Sequence, residues 1–467
     1  MKPQSHAFEK SAERALADSV LQQAMGMLDT KFVAERRHAV SELPEFEALR
    51  DFAAAMKDHT LGHLDLYLER FTEAVARNGG RVHVAADAGE AQRIVTGLCR
   101  DSGARTATKS KSMTGEEVAL NEFLNAAGIT PVETDLGEYI LQLAGEPPSH
   151  IVAPAYHKPK ADVAELFRRH HGGESPRERG EDLVAEARQT LRRKYFAAEA
   201  SITGANALIA ETGQAVLVTN EGNADLGRSL AKTHIVLAGI DKLVPTLEDA
   251  TAILRLLARS ATGQDITMYT SFCGGPRREG EADGPEAFHV VLLDNGRSKM
   301  LGDPALRPLL RCIRCGACMN HCPVYSSVGG HAYGWVYPGP IGAALDPAFL
   351  GIAEARHLPQ ATTLCGACEE VCPVRIPLPM IFRHWRAEAF DKRVSPASER
   401  RGVQLWAWLA TRPRLYRTSL RVANLALRLA GRLRGLRRLP FTRGWTRRRD
   451  LPSPSGPTLP FRRERKR

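Results

Sequence analysis

The chain has 467 residues, 43% of them hydrophobic and 25% charged, a composition that fits a globular protein of two or three domains. Its net charge of +11 is concentrated in residues 401–467, where 19 Arg and Lys face only Asp450 and Glu464, so the remainder is mildly acidic. The opening MKPQSHAFEK has no apolar h-region and no long uncharged apolar run follows, which argues against a secretory signal or a spanning helix and for a cytoplasmic protein.

Residues 1–80 predict a helical N-terminal region. Apolar positions recur at helical spacing through Leu16, Val20, Met25 and Leu28, then from Phe46 to Val75, and Gly79-Gly80 closes the run. Residues 81–296 alternate and predict an α/β domain with a largely parallel sheet. Val82–Ala85, His150–Ala153 and His234–Leu237 read as strands, and Glu90–Leu98, Glu116–Ala127 and Glu181–Phe196 as helices. Ala207–Ala210 and Ala215–Thr219 read as an inserted hairpin. Residues 301–390 carry cysteine motifs on short helices, with a Gly-rich connector from Ser326 to Gly342. Residues 398–467 form a basic tail: an Arg-studded helical stretch broken at Pro413, then an irregular Pro- and Arg-rich end from Pro440.

Seven of the nine cysteines fall between Cys312 and Cys372, and in a reducing cytosol such clustering points to a metal site. The first motif is Cys312-x2-Cys315-Gly-Ala-Cys318-x3-Cys322-Pro; the second is Cys365-Gly-Ala-Cys368-x3-Cys372-Pro. A tight C-x2-C-x2-C loop wraps three corners of an iron–sulfur cube. In two-cluster ferredoxins the distant fourth cysteine, before proline, serves the other cube. That rule gives Cys312, Cys315, Cys318 and Cys372 to cluster 1, and Cys322, Cys365 and Cys368 to cluster 2. Cluster 2 is one cysteine short, because Thr362 stands three residues before Cys365. It is then a three-iron cluster, or a four-iron cluster with an open or non-cysteine corner. Paired C-x2-C motifs also hold zinc, but this repeated pattern suits zinc poorly. Gly316-Ala317 and Gly366-Ala367 let backbone approach the sulfurs, where amide donors tune the potential. His321 and His331 read as packing or orienting residues, not ligands.

In the α/β region three polar patches follow predicted strands: Lys109–Ser112, Glu133–Asp135, and Glu211–Gly213 with Thr219–Asn223. Loops after strands commonly carry ligands, and solvated turns with caps, Asp135 among them, are the plainer reading. Cys99 and Cys273 read as buried structural thiols. In the tail, Arg428, Arg432, Arg434, Arg437 and Arg438 flank Leu425, Leu427, Leu429, Leu433 and Leu436. Such a helix packs on its own chain, docks a partner, or lies on an anionic membrane surface. No nucleic-acid motif accompanies it, so nucleic acid is not expected.

The motif pair, with Ser201–Asn206, Ala210–Gly213, Thr219–Asn223 and Gly444–Asp450, resembles the LutB/YkgF type of bacterial lactate-utilisation iron–sulfur protein over nearly the whole chain. The resemblance implies a NagB/RpiA/CoA-transferase-like LUD domain followed by an α-helical ferredoxin domain. It implies the electron-transfer subunit of an L-lactate to pyruvate oxidation complex, beside a cysteine-rich A-type and an LUD-containing C-type protein. The family's second motif also has three cysteines. The expected cofactors are two iron–sulfur clusters, [4Fe-4S] for the first and [4Fe-4S] or [3Fe-4S] for the second. The expected location is cytoplasmic, with the inner-membrane surface left open by the tail. No residue stands out as a lactate base, so no catalytic residue is assigned. An alternative is a stand-alone oxidoreductase with Glu211 or Lys109 in the chemistry, and a third reading is a scaffold with structural clusters.

Overall fold

The computed structural model describes residues 3–172 and 177–432. The chain divides into two compact units, Met1–Asp391 and Lys392–Arg467. In the first unit the strands are β1 Arg81–Ala85, β2 Thr106–Lys109, β3 Thr130–Glu133, β4 Ala200–Thr203, β5 Ala207–Ile209, β6 Gln214–Thr219, β7 Thr233–Gly239, β8 Leu243–Val244, β9 Tyr269–Cys273 and β10 Ala287–Leu293. Six of them form a sheet in the order β1-β10-β7-β4-β2-β3, with every neighbouring pair parallel.

Burial explains that order. All seven residues of β7 are buried, as a central parallel strand covered on both faces requires. Its alternate residues divide between two cores. Val236 joins Phe71, Val75, Val290 and Leu292 on one face. Ile235 and Leu237 join Val95, Ile202 and Val291 on the other. The expected hairpin is present: β5 and β6 pair antiparallel, and β8 and β9 extend them into a four-stranded sheet in the order β8-β5-β6-β9.

The N-terminal region is helical as expected, and its long helices Phe46–Gly62 and Leu64–Arg77 lead into β1. Gly79 takes a φ of 83° after the second helix, and a Cβ on Gly80 would meet Phe288 and Val75 at 2.8 Å. Met25 and Leu28 are buried, whereas Leu16 and Val20 are exposed.

Two sequence expectations fail. His150–Ala153 is not a strand but a series of bends. The His150 ring turns the chain back on itself, because its Nδ1 accepts the N–H groups of both Val152 and Ala153 at 3.0 Å. The single helix expected over Glu116–Ala127 is two, Met113–Glu117 and Leu120–Ala126, broken at Ala119 with a φ of 50°. Glu117, at the break, is drawn into a buried bidentate pair with Arg297 at 2.9 Å.

After β10 the chain runs through short helices around the cysteines and ends the unit with helix Leu378–Asp391. The second unit contains helices Ala397–Ala410 and Pro413–Arg432, with the break where Pro413 predicts it. The remaining tail features, from Leu433 through the end expected to be irregular, lie outside the described residues. Among the described residues no helix is long and apolar enough to cross a membrane.

Candidate functional site

The cysteine loops are shaped by backbone conformation. Arg314 and Leu364 adopt φ of 60° and 56°, and Gly316 and Gly366 follow at 75° and 88°. Each loop then enters a one-turn helix, Ala317–Asn320 or Ala367–Glu370. This winding turns backbone N–H groups toward sulfur. Arg314 donates to Cys312 Sγ at 3.4 Å, Tyr325 to Cys322 Sγ at 3.5 Å and Ile376 to Cys372 Sγ at 3.4 Å. The Ala317 and Ala367 amides serve Cys315 and Cys365. The donors expected from the small residues are therefore present.

The thiols sort themselves through space. Cys315 interacts electrostatically with Cys372 and Cys312, and Cys368 with Cys322 and Cys365. Cys318 faces both groups, meeting Cys315, Cys312, Cys368 and Cys372. Burial pushes Cys315 and Cys368 up to about 12 and Cys372 up to about 11. Such thiols ionise only with help from metal or neighbouring cations. Cys365 differs: it is exposed, and the Ala367 amide followed by the Thr363 side chain lowers its pKa.

Zinc is poorly served by this spacing. Tetrahedral zinc at about 2.3 Å from each sulfur draws the sulfurs to within about 4 Å of one another. Among the described residues the only set of three or more His, Cys, Asp or Glu ligand atoms within 4.8 Å of each other is Glu146, His157 and His331. Iron and sulfide are indicated instead by the C-x2-C-x2-C pattern, which wraps a cube. The first motif, with Cys312, Cys315 and Cys318 in one tight loop and Cys322 before a proline, therefore suits iron–sulfur binding.

Cations invisible as a motif hold backbone of both cysteine motifs, at Cys312 and at Val371-Cys372. Arg50 donates to the Cys372 carbonyl from Nε at 3.1 Å and Nη2 at 2.9 Å. Arg36 Nη2 donates to the Val371 carbonyl at 3.1 Å, and Lys242 Nζ to the Cys312 carbonyl at 3.3 Å. Arg314 lies over the Tyr337 ring at 4.8 Å, with Nη1 buried and without a hydrogen-bond partner. Burial lowers the Lys57 pKa to about 8. Of these, only Arg314 lies within a motif; the others come from distant segments with no local signal.

Beside this loop lies a cavity of about 500 Å³, lined by Ile313 and Arg314 of the first motif and by loops of the α/β domain. It draws on parts of all three predicted polar patches: Ser110–Ser112, Asp135 and Thr219–Glu221. Burial and then Asp135 raise Glu221 to about 7. Lys109, Glu133 and Glu211 are not in the lining. Lys109 is instead locked in buried ion pairs with Glu116 at 2.6 Å and Glu133 at 2.8 Å. Asp135 also caps helix Leu136–Ala144, as expected. Cys99 and Cys273 are buried, with burial raising them to about 12 and about 11. His331 bonds the Pro147 carbonyl at 2.8 Å and His321 the Ala317 carbonyl at 2.9 Å.

An α/β domain joined in one compact unit to repeated thiol loops of this spacing defines an iron–sulfur electron-transfer protein. Residues 68–293 match the LUD domain, residues 308–376 the 4Fe-4S dicluster domain, and residues 391–464 the C-terminal domain of lactate utilisation protein B. The chain is 41% identical to lactate utilization protein B of Bacillus pumilus, over 97% of this chain and 96% of that one. It is 42% identical to the protein of the same name from Geobacillus sp. WCH70, with the same coverage. The uncharacterized electron transport protein YkgF of Escherichia coli K12 is 41% identical over 96% of this chain and 94% of its own. The chain belongs to the lactate utilisation B family.

Proposed function

We propose that the chain passes electrons from the oxidation of L-lactate to pyruvate, as one subunit of a complex with A-type and C-type companions. The observation that supports this reading is that Cys315 lies near Cys312 and Cys372, and Cys368 near Cys322 and Cys365, inside a single compact unit. In this reading Cys312, Cys315, Cys318 and Cys372 hold cluster 1, and Cys322, Cys365 and Cys368 hold cluster 2. Lactate oxidation releases two electrons, and bound clusters supply one-electron acceptors for them.

The chain's own residues prepare those sites. Backbone N–H groups orient and stabilise the sulfurs, and Arg36, Arg50, Lys242 and Arg314 offset the negative charge gained on reduction. In this reading buried Cys315 and Cys372 keep water from cluster 1, while exposed Cys365 leaves one ligand of cluster 2 at the protein surface. The LUD domain is read as NagB/RpiA/CoA-transferase-like on the strength of its six-stranded parallel sheet. Domain limits of 81–296 and 301–390 follow from the same element boundaries. The location is read as cytoplasmic. Helix Pro413–Arg432 exposes Leu420, Leu425 and Leu429 between arginines, which suits contact with an anionic inner-membrane surface. A deletion strain is expected to lose growth on L-lactate, and unimpaired growth would overturn the assignment.

The cavity beside Arg314 favours one second reading, a stand-alone oxidoreductase with a small-molecule site in the α/β domain. Lactate-dependent dye reduction by the isolated protein separates the two, since a carrier alone gives none.

A further inference from the structure

The two cysteine loops are one structural unit used twice, and the repeat extends to a residue that is not a cysteine. Arg314 and Leu364, at φ 60° and 56°, occupy matching places, as do Gly316 and Gly366. In the one-turn helices that follow, Asn320 N–H donates to Gly316 O at 3.2 Å and Glu370 N–H to Gly366 O at 3.1 Å. At the head of the first loop, Arg314 N–H donates to Cys312 Sγ at 3.4 Å. At the head of the second, Leu364 N–H donates to Thr362 Oγ1 at 3.0 Å. The same bond closes both loops, and the smaller oxygen acceptor accounts for the shorter distance. The Thr362 oxygen thus accepts the same loop-closing bond that the Cys312 sulfur accepts.

We propose that Thr362 marks the fourth corner of cluster 2 and that this corner is a labile iron site, open to exchange with small anions and thiols. The proposal rests on the two-cluster reading above. A threonine hydroxyl is neutral near pH 7 and brings no thiolate charge to iron, and its C–O bond is shorter than the C–S bond of cysteine. Iron at this corner is held by the cluster's sulfides with at most a weak oxygen donor. The surroundings admit exchange: Thr363 and Cys365 are exposed, whereas Cys315 and Cys372 beside the other cluster are buried.

The test uses the anaerobically purified full-length holoprotein, with iron and sulfide counts before and after one equivalent of ferricyanide. Ferricyanide accepts one electron from the cluster, a ferrous ion departs from the Thr362 corner, and three ferric ions remain with their sulfides. Wild type is expected to lose one iron per chain, develop the EPR signal of a three-iron cluster, and recover on addition of ferrous ion with dithiothreitol. Added thiol or cyanide should alter the EPR of cluster 2 alone. Thr362→Cys should lose iron roughly tenfold more slowly and show no three-iron signal. Thr362→Val, which removes the oxygen without adding a ligand, should lose iron faster than wild type while keeping its sulfide. Iron loss unchanged in both variants, or wild type that keeps all its iron, would overturn the proposal. Iron and sulfide for only one cluster in fresh wild type would instead overturn the two-cluster reading.

Discussion

Arg50 grips the carbonyl of Cys372 with two of its nitrogens, Nε at 3.1 Å and Nη2 at 2.9 Å, across 322 residues of sequence. The guanidinium is buried, and Glu47 pairs with it at 2.8 Å. A fixed positive charge beside a cluster stabilises the reduced form, which carries one more negative charge. Arg50→Gln is therefore expected to move the midpoint of cluster 1 to more negative potential, by roughly 59 mV if the reduced form loses a factor of ten in stability. An EPR-monitored redox titration reads this directly, and an unchanged midpoint contradicts the electrostatic role.

The cysteines differ in accessibility, and this predicts their chemistry. Cys365 is the one exposed cysteine among the described residues, and neighbouring donors lower its pKa. In cluster-free protein under native conditions, iodoacetamide should modify Cys365 first, with Cys99 and Cys273 last. Peptide mass spectrometry over a time course checks the order. In the cluster-loaded protein Cys365 should be protected.

Gly316 and Gly366 match in the repeat but not in their surroundings. A Cβ at Gly316 would crowd Val152 at 3.3 Å and His150 at 3.4 Å, whereas one at Gly366 meets nothing within 4 Å. Both substitutions to alanine carry the left-handed backbone penalty of about 1–2 kcal/mol. Gly316→Ala should cost more, and the difference in urea midpoint between the two variants measures the crowding.

A buried ionic network centres on Arg297, which pairs with Glu117 at 2.9 Å and Asp241 at 2.6 Å. Tyr337, from the cysteine-bearing segment, donates to Glu117 at 2.6 Å. Arg297→Leu leaves two buried carboxylates without their cation and should destabilise the fold by roughly 3–5 kcal/mol. Chemical denaturation gives the value.

His234 is buried in β7, shares a hydrogen bond with Thr203 at 2.9 Å, and is pushed down to about 3, by burial first and then by Arg228. The unfolded chain binds a proton at His234 below its ordinary value of about 6.5, while the folded chain stays neutral down to about 3. Stability from this residue is thus full above about 6.5 and declines as pH falls through that window, by about 1.4 kcal/mol per unit. Unfolding midpoints at pH 7.5 and 5.5 should differ less in His234→Gln than in wild type.

The thiol loops were legible because ligand spacing is a local property: three side chains must reach one cube from a short run of backbone. The parallel sheet was legible for a similar reason, since β7 carries the unbroken apolar run Ile235–Ala238. His150–Ala153 misled because its β-branched pattern is local, while the forces that bend it come from its own ring and from Asn320, which bonds His150 Nε2 at 2.8 Å. Arg36, Arg50, Lys57 and Lys242 were invisible as a set, because only the completed fold gathers them. The cavity was half legible. Strand-end loops pointed to Ser110–Ser112, Asp135 and Glu221, but not to Arg314.

The grip of Arg50 on Cys372 also orders events during synthesis. Helix Phe46–Gly62 leaves the ribosome long before the carbonyls it must bind, so until the second cysteine loop emerges its guanidinium has only Glu47, one turn away in the same helix, as a native partner. Such distant pairing slows closure of the fold. The helix can dock on Asp241 and Leu243 through Lys57 before that, but the seal between Arg50 and Cys372 closes only when the last cysteine has been made.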